Sequence, residues 1–153
     1  MTDARPIFVD TNILLAASDP SRPRHREALE VLQRWPGLEA TLYASGQVLR
    51  EYLAVATRPL QANGLGLTRA EALDNVHQLL RRLHLLDEDG RAREELLTLV
   101  RDIEVSGKQI HDANIVATMI SGRVEALLTL NPRDFERFGR WVMLVELPVA
   151  AVG

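Results

Sequence analysis

Four parts of this sequence carry acidic or amide side chains of the kind that bind a divalent metal ion. Asp10 lies between a short apolar run and an apolar helix, Glu51 lies within a second helix, and Asp112 begins a third. Asn131 and Asp134 follow a late apolar run. Mg²⁺ prefers oxygen ligands of these types and keeps several of its waters. If the fold brings these side chains together, the expected chemistry is phosphodiester hydrolysis, because a bound cation polarises the phosphate and activates water.

Each of these residues also has an ordinary structural interpretation. Asp10 is well placed to cap the helix that follows it, and Asp112 is well placed to interact with a helix dipole. Glu51 lies at the border of an apolar stripe, from which it could reach solvent. A turn at Asn131 explains the polar residues after the late run. A functional interpretation therefore requires that the fold bring these side chains together. Clustered acids without a cation would repel one another and raise one another's pKa.

The segments that must position these residues alternate between strands and helices. Apolar runs predict strands at 7–9, 40–43, 85–86, 126–130 and 142–147. Periodic segments predict helices at 11–17, 22–34, 45–57, 68–83, 91–105 and 110–120, and a short helical turn around Phe135. The alternation predicts an α/β fold with a central, mostly parallel sheet flanked by helices. Such a fold can bring acids after strand ends and acids on packed helices to one edge of the sheet.

Two helix starts and one buried helix face are also specific predictions. Ser45 is predicted to cap its helix, and Thr68 is predicted to form a capping box with Glu71. In the helix at 91–105, the predicted buried residues are Leu96, Leu97, Leu99 and Val100.

Length and composition limit the class of protein. A chain of 153 residues is expected to form one domain, with a core at about 7–147. Hydrophobic residues make up 46% of it, which excludes a disordered chain. The absence of cysteine excludes disulfides, thiolate zinc sites and a cysteine nucleophile. Without a signal-type segment or an apolar run of ~20 residues, we expect a cytoplasmic protein with no membrane contact.

The charge pattern excludes one mode of nucleic-acid binding. A net charge of -3 argues against a protein that coats nucleic acid by charge alone, but not against an enzyme that acts on it. Arg22, Arg24 and Arg26, together with His25, form the densest basic cluster. Either these arginines contact RNA phosphates or they form a solvated face.

Together these segments resemble the PIN domain family and, within it, the VapC-type ribonuclease toxins of bacterial type II toxin–antitoxin pairs. The resemblance is carried by residues 9–14, Glu51, 111–117 and 128–135, and it spans about 8–147. Each motif alone is weak, whereas their order and spacing are specific. The resemblance implies a single PIN-like domain and a carboxylate site that cleaves RNA with Mg²⁺ or Mn²⁺.

Site residues follow from the resemblance at matching positions. Asp10, Glu51 and Asp112 match the three most recognisable acidic residues of the family. Asp10 and Asp112 are implied to be direct metal ligands, and Glu51 is implied to act through water or as a base. Asn12 and Thr129 are implied to orient the acids through hydrogen bonds.

The fourth site residue departs from the family pattern. The position two residues after Thr129 is often acidic in the family, and here it is Asn131. Asp134 is the alternative, so the sequence leaves open which of these two residues completes the site.

Partners are also implied by the resemblance. They are an RNA substrate, a small VapB-like antitoxin and a second copy in a homodimer. The helices at 22–34 and 45–57 are candidate contact surfaces, with Trp35 and Tyr52 as anchors or, more simply, as core residues. The alternatives are a PIN-like RNA-processing nuclease outside a toxin–antitoxin pair and a catalytically silent binding module. Receiver domains and Asp-x-Asp phosphatases are disfavoured because they need an acid where Thr11 or Asn12 stands.

Overall fold

The alternating apolar runs of the sequence form a central sheet, as seen in a computed structural model that describes residues 4–37 and 40–149. Its strands, in chain order, are β1 (Arg5–Val9), β2 (Ala40–Ser45), β3 (Leu83–Leu86), β4 (Ala126–Leu128) and β5 (Met143–Val145). They lie in the order β3-β2-β1-β4-β5, and every pairing is parallel. The predicted α/β fold with a parallel sheet is confirmed.

Helices connect the strands. They are α1 (Thr11–Ser18), α2 (His25–Arg34), α3 (Gly46–Ala56), α4 (Arg69–Leu80), α5 (Gly90–Asp102) and α6 (Gln109–Gly122). Short 3₁₀ helices lie at Leu60–Ala62 and Pro132–Phe138. Within the described residues, no helix is long and apolar enough to cross a membrane.

The strand order places the end of β1 beside the end of β4. The chain first builds the sheet from β1 through β2 to β3, and then adds β4 on the opposite side of β1. Val9 pairs with Leu128, and the next backbone N–H, that of Asp10, donates to the carbonyl of Leu128 at 3.0 Å. This reversal of strand order is where open α/β sheets form a crevice for ligands. Asp10 and Thr129 therefore lie side by side at its edge.

The core holds this edge in place. Phe8 and Val9 on β1 and Ile13 and Leu14 on α1 are fully buried, so apolar packing fixes the chain on both sides of Asp10. Burying each such side chain stabilises the fold by roughly 1.5–3 kcal/mol. Tyr52 is also fully buried, and its hydroxyl donates to Ser18 Oγ at 2.8 Å. It is therefore a core residue and does not form an exposed contact anchor.

One predicted helix start is wrong, and one predicted cap is only partly correct. The helix predicted from residue 22 begins at His25, because Arg24 adopts a left-handed conformation with φ 64° that no α-helix contains. Ser45 does lie at the N-cap position of α3, but its side chain makes no capping hydrogen bond, and its buried hydroxyl has no hydrogen-bond partner among the described residues.

The predicted buried face of α5 is only partly correct. Leu99 is buried and Leu96 is partly buried, whereas 59% of Leu97 and 38% of Val100 remain exposed. The helix packs chiefly against α6. Ala92, Leu96 and Leu99 share one face of α5 at helical spacing, and Leu97 and Val100 project to the side of that face.

The predicted capping box of α4 is present. Thr68 Oγ1 accepts from Glu71 N at 3.1 Å, and a Glu71 carboxylate oxygen accepts from Thr68 N at 3.0 Å. We expect Thr68→Ala to lower the free energy of unfolding by about 1 kcal/mol, because it leaves a helix N–H without its partner. Urea denaturation monitored by circular dichroism measures this change. Glu71→Gln preserves the box and is the matched control; an unchanged midpoint for Thr68→Ala would contradict the prediction.

Candidate active site

Asp10 is anchored at the junction of β1 and α1 by hydrogen bonds to both of its oxygens. Its Oδ1 accepts from Thr11 N at 2.8 Å, which makes it the N-cap of α1. Its Oδ2 accepts from Thr129 Oγ1 at 2.7 Å. The side chain is only 8% exposed. The structural and functional interpretations of Asp10 are therefore compatible, because capping orients a carboxylate that still has free lone pairs.

Asn12 joins the start of α1 to the segment that follows β4. Its Nδ2 lies 3.2 Å from Thr129 Oγ1 and 3.4 Å from Asp10 Oδ2, and its Oδ1 accepts from Leu130 N at 3.0 Å. The hydroxyl group of Thr129 donates its single proton to Asp10, so the lone pairs of Thr129 Oγ1 accept from Asn12 Nδ2 and from Asn131 N. The two residues predicted to orient the site thus both contact Asp10.

Glu51 reaches the same edge of the sheet from α3. Its Oε2 accepts from Thr11 Oγ1 at 2.7 Å, and its Oε1 accepts from Gln47 Nε2 at 2.9 Å. Thr11 is the direct neighbour of Asp10, so Glu51 is tied to the turn that carries the first acid. The side chain is partly buried.

Asp112 lies in the first turn of α6, and its pKa is raised to about 6. The main cause is partial burial, which disfavours the charged form, and the charges of Asp134, Asp10 and Glu51 raise the pKa further. Arg137 acts in the opposite direction. Asp112 is therefore within electrostatic range of all three other predicted acids.

The pKa of Asp10 is raised as well, again chiefly by burial. Its hydrogen bonds from Thr129 and Thr11 oppose this shift, while the charges of Glu51 and Asp134 add to it. The structure thus brings together Asp10, Glu51, Asp112 and Asp134, which we call the carboxylate cluster. Because the negative charges of these acids repel one another, binding of a cation would stabilise the cluster.

Asp134 and Asn131 occupy different positions at the edge of the cluster. Asp134 lies on the 3₁₀ helix Pro132–Phe138, which Phe135 and Phe138 anchor in the core, and its charge acts on Asp10 and Asp112. The backbone of Asn131 donates to Thr129 Oγ1 and accepts from Asp134 N. The charge of Asp134 thus acts on two of the predicted acids, while Asn131 contributes backbone hydrogen bonds to the turn, and which of the two completes the site stays a prediction.

The donor chemistry of the cluster fits Mg²⁺ or Mn²⁺. Within residues 4–37 and 40–149, no three His, Cys, Asp or Glu side chains are close enough together to enclose one ion. Mg²⁺ does not need such an enclosure, because it is typically held by one or two carboxylates together with water and substrate phosphate. Asp10 and Asp112 are the residues that would hold it, and Glu51 would hold it through water.

The arginine cluster is largely engaged within the chain. Arg22 pairs with Asp19 at 3.5 Å and donates to the carbonyl of Asn63 at 2.7 Å. Arg24 pairs with Glu27 at 3.3 Å. Arg26 is exposed on α2. The RNA contacts predicted for these arginines stay predictions, and Arg22 and Arg24 would first have to leave their present partners.

Sequence reasoning missed Gln47 and Arg137. Gln47 is 4% exposed, bonds to Glu51 and lies one helical turn before it. That spacing of four residues, with an amide among apolar neighbours, was the available signal. Arg137 gave no such signal, since its effect on Asp112 depends on how the 3₁₀ helix packs.

The sequence matches the PIN domain family over residues 7–140, and the chain belongs to this family. No curated protein matches the chain by sequence.

Solved structures share the fold at low sequence identity. The VapBC2 complex from Rickettsia felis, bound to a promoter DNA fragment, contains a chain 19% identical with TM-score 0.63; the match covers 94% of this chain and 99% of that one. A chain of VapBC-1 from nontypeable Haemophilus influenzae is 20% identical with TM-score 0.64, and the match covers 93% of this chain and 98% of that one. VapC20 from Mycobacterium tuberculosis, a toxin that cleaves the sarcin–ricin loop, is 20% identical with TM-score 0.59, and the match covers 79% of this chain and 86% of that one.

Proposed function

We propose that this protein is a metal-dependent endoribonuclease and the toxin of a bacterial toxin–antitoxin pair. The observation that carries the proposal is the carboxylate cluster, in which Asp10, Glu51, Asp112 and Asp134 come from four separate segments. Burial, and to a smaller extent the charges of neighbouring acids of the cluster, raises the pKa of Asp10 and of Asp112. Membership of the PIN domain family and the fold of VapC20, an RNA-cleaving toxin, support it.

The chain's own residues divide the work of hydrolysis. Mg²⁺ or Mn²⁺, when bound, neutralises the clustered acids, polarises the phosphodiester and lowers the pKa of water. Asp10 and Asp112 would hold the ion, while Thr129 and Asn12 hold the Asp10 carboxylate in one orientation. Glu51, fixed by Thr11 and Gln47, would orient a water and accept its proton as the water oxygen bonds to phosphorus. The P–O bond to the leaving ribose oxygen breaks in the same displacement, and that oxygen takes a proton from solvent water.

Purified protein incubated with RNA and Mg²⁺ or Mn²⁺ tests the activity. We expect internal cleavage that EDTA abolishes and that added metal restores. Cleavage that persists in EDTA would contradict the metal-dependent mechanism. Binding of RNA without any cleavage would favour the silent binding module instead.

A pair of substitutions distinguishes the role of Asp134 from that of Asn131. We expect Asp134→Asn to lower the cleavage rate by roughly 10- to 100-fold, because it removes a charge that acts on both Asp10 and Asp112. Asn131→Ala should change the rate less than about 3-fold, since its contacts in the described structure are made by its backbone. Initial cleavage rates of a fluorescent RNA measure both. The reverse ranking would make Asn131 the fourth site residue.

The partners in this proposal are a small VapB-like antitoxin and a second copy of the chain. Support comes from the similar folds of chains in the complexes VapBC2 from Rickettsia felis and VapBC-1 from nontypeable Haemophilus influenzae. Expression of this chain alone should arrest growth of its host, and co-expression of a small neighbouring gene product should relieve the arrest. Growth without arrest, together with RNA cleavage in vitro, would favour an RNA-processing nuclease outside such a pair. Light scattering of the purified chain tests the dimer.

A further inference from the structure

A buried glutamine connects two of the helices that carry the carboxylate cluster. Gln47 Nε2 on α3 donates to Glu51 Oε1 at 2.9 Å and to the carbonyl oxygen of His111 on α6 at 3.0 Å. His111 directly precedes Asp112. One amide group thus spans from Glu51 to the backbone beside Asp112.

The orientation of this amide is determined by its surroundings. Glu51 Oε1 and the His111 carbonyl only accept hydrogen bonds, so the NH₂ group must face them. The opposite side of the amide, Gln47 Oε1, accepts from Asn114 Nδ2 at 2.7 Å. Both amide protons and the carbonyl oxygen of Gln47 are therefore used, and its side chain is 4% exposed.

The network continues outward to an ion pair. Asn114 Nδ2 also donates to Glu88 Oε1, and Glu88 Oε2 lies 3.7 Å from Arg50 NH1. Asn114, Glu88 and Arg50 lie on α6, on the loop after β3 and on α3 respectively. The outer end of the network is thus tied to the same two helices as Gln47.

We propose that Gln47 is a positioning residue that sets the placement of Glu51 relative to Asp112, with Asn114 fixing the Gln47 amide. The inference rests on the proposed nuclease function. Its physical basis is that the long side chain of Glu51 is held by two hydrogen bonds, one from Thr11 to Oε2 and one from Gln47 to Oε1. Loss of the second contact lets the Glu51 carboxylate rotate away from the cluster.

Gln47→Met tests this role, because methionine has a similar length and shape but cannot make the three hydrogen bonds. We expect kcat for RNA cleavage to fall by roughly 10- to 100-fold with KM changed less than about 2-fold. We also expect Mn²⁺ affinity, measured without RNA by calorimetry, to weaken by about 10-fold. Asn75→Leu is the matched control, since it removes a partly buried amide that lies outside the cluster. The Asn75 amide donates to Tyr52 Oη at 3.1 Å. It should leave kcat and Mn²⁺ affinity unchanged.

A double variant distinguishes positioning from general destabilisation. If Gln47 acts through Glu51, Gln47→Met combined with Glu51→Gln should cleave no more slowly than Glu51→Gln alone. Multiplied losses in the double variant, or wild-type kcat and Mn²⁺ affinity in Gln47→Met, would overturn the inference. Should Gln47→Met not fold, Asn114→Ala replaces it, with an expected loss of about 3- to 10-fold in kcat.

The two proposals fail in different ways. A wild-type chain that does not cleave RNA contradicts the nuclease proposal, while weaker Mn²⁺ binding by Gln47→Met would still support the positioning role. An active wild type with an equally active Gln47→Met variant contradicts only the positioning role.

Discussion

Asp10→Asn is expected to lower the rate of RNA cleavage by roughly 1,000-fold and to leave the protein folded. The proposed metal contributes several kcal/mol to stabilising the transition state, and about 4 kcal/mol corresponds to that change in rate. Asn has the same shape as Asp, so its carbonyl oxygen can still accept from Thr11 N and cap α1. Burial raises the pKa of Asp10, which means that the charge itself destabilises the metal-free fold. The new NH₂ group cannot accept from Thr129 Oγ1 as Asp10 Oδ2 does, and this loss opposes the gain from removing the buried charge, so the melting temperature in EDTA should change little.

Single-turnover cleavage of RNA with Mn²⁺, together with thermal melting in EDTA, measures both parts of this prediction. Asp74→Asn is the matched control, because it removes an exposed carboxylate from α4. It should cleave RNA at the wild-type rate. An Asp10→Asn protein that cleaves within about 10-fold of wild type would exclude Asp10 as a direct metal ligand.

The position of Asp10 could be predicted from the sequence because local patterns determine it. An apolar run too short for a helix predicts β1, and the apolar residues after Asn12 predict α1, so the acid between them must lie at a strand end. The alternation of strands and helices then predicts parallel strands whose carboxyl ends share one edge. The same local logic correctly predicted the capping box at Thr68.

Features that depend on the approach of distant segments could not be predicted in this way. The choice between Asn131 and Asp134 depends on how the 3₁₀ helix packs through Phe135 and Phe138. Gln47 acts by reaching the backbone of α6, 64 residues away in sequence. The exposure of Leu97 reflects how α5 packs against α6, which helical periodicity alone does not specify.

The Asp112 carboxylate is expected to lower the stability of the metal-free protein as the pH rises from about 4 to about 6, and Asp112→Asn should remove this contribution. The pKa of Asp112 is about 6 in the folded chain and 3.8 as its ordinary value. Between these values the folded state binds more protons than the unfolded state, so a rise in pH favours unfolding. Asp10, whose pKa is also raised, contributes with the same sign.

The size of the Asp112 contribution is roughly 1–2 kcal/mol after allowance for solvent screening of a half-buried group. Acids with lowered pKa, such as Asp89 and Glu71, act oppositely and lose their contribution as the pH falls through their lowered pKa values. The difference in the free energy of unfolding between wild type and Asp112→Asn, followed as a function of pH, isolates the contribution of Asp112.

Urea denaturation in EDTA at pH 4, 5, 6 and 7 provides the measurement, with Asp74→Asn again as the control. At pH 7, Asp112→Asn should be more stable than wild type in EDTA, and added Mn²⁺ should stabilise wild type much more than the variant, because only wild type retains both proposed direct ligands. Equal stabilisation of the two proteins by Mn²⁺ would place the metal away from Asp112. If the stability of wild type and the stability of Asp112→Asn changed equally between pH 4 and pH 6, this carboxylate would not be held against the charges of the cluster.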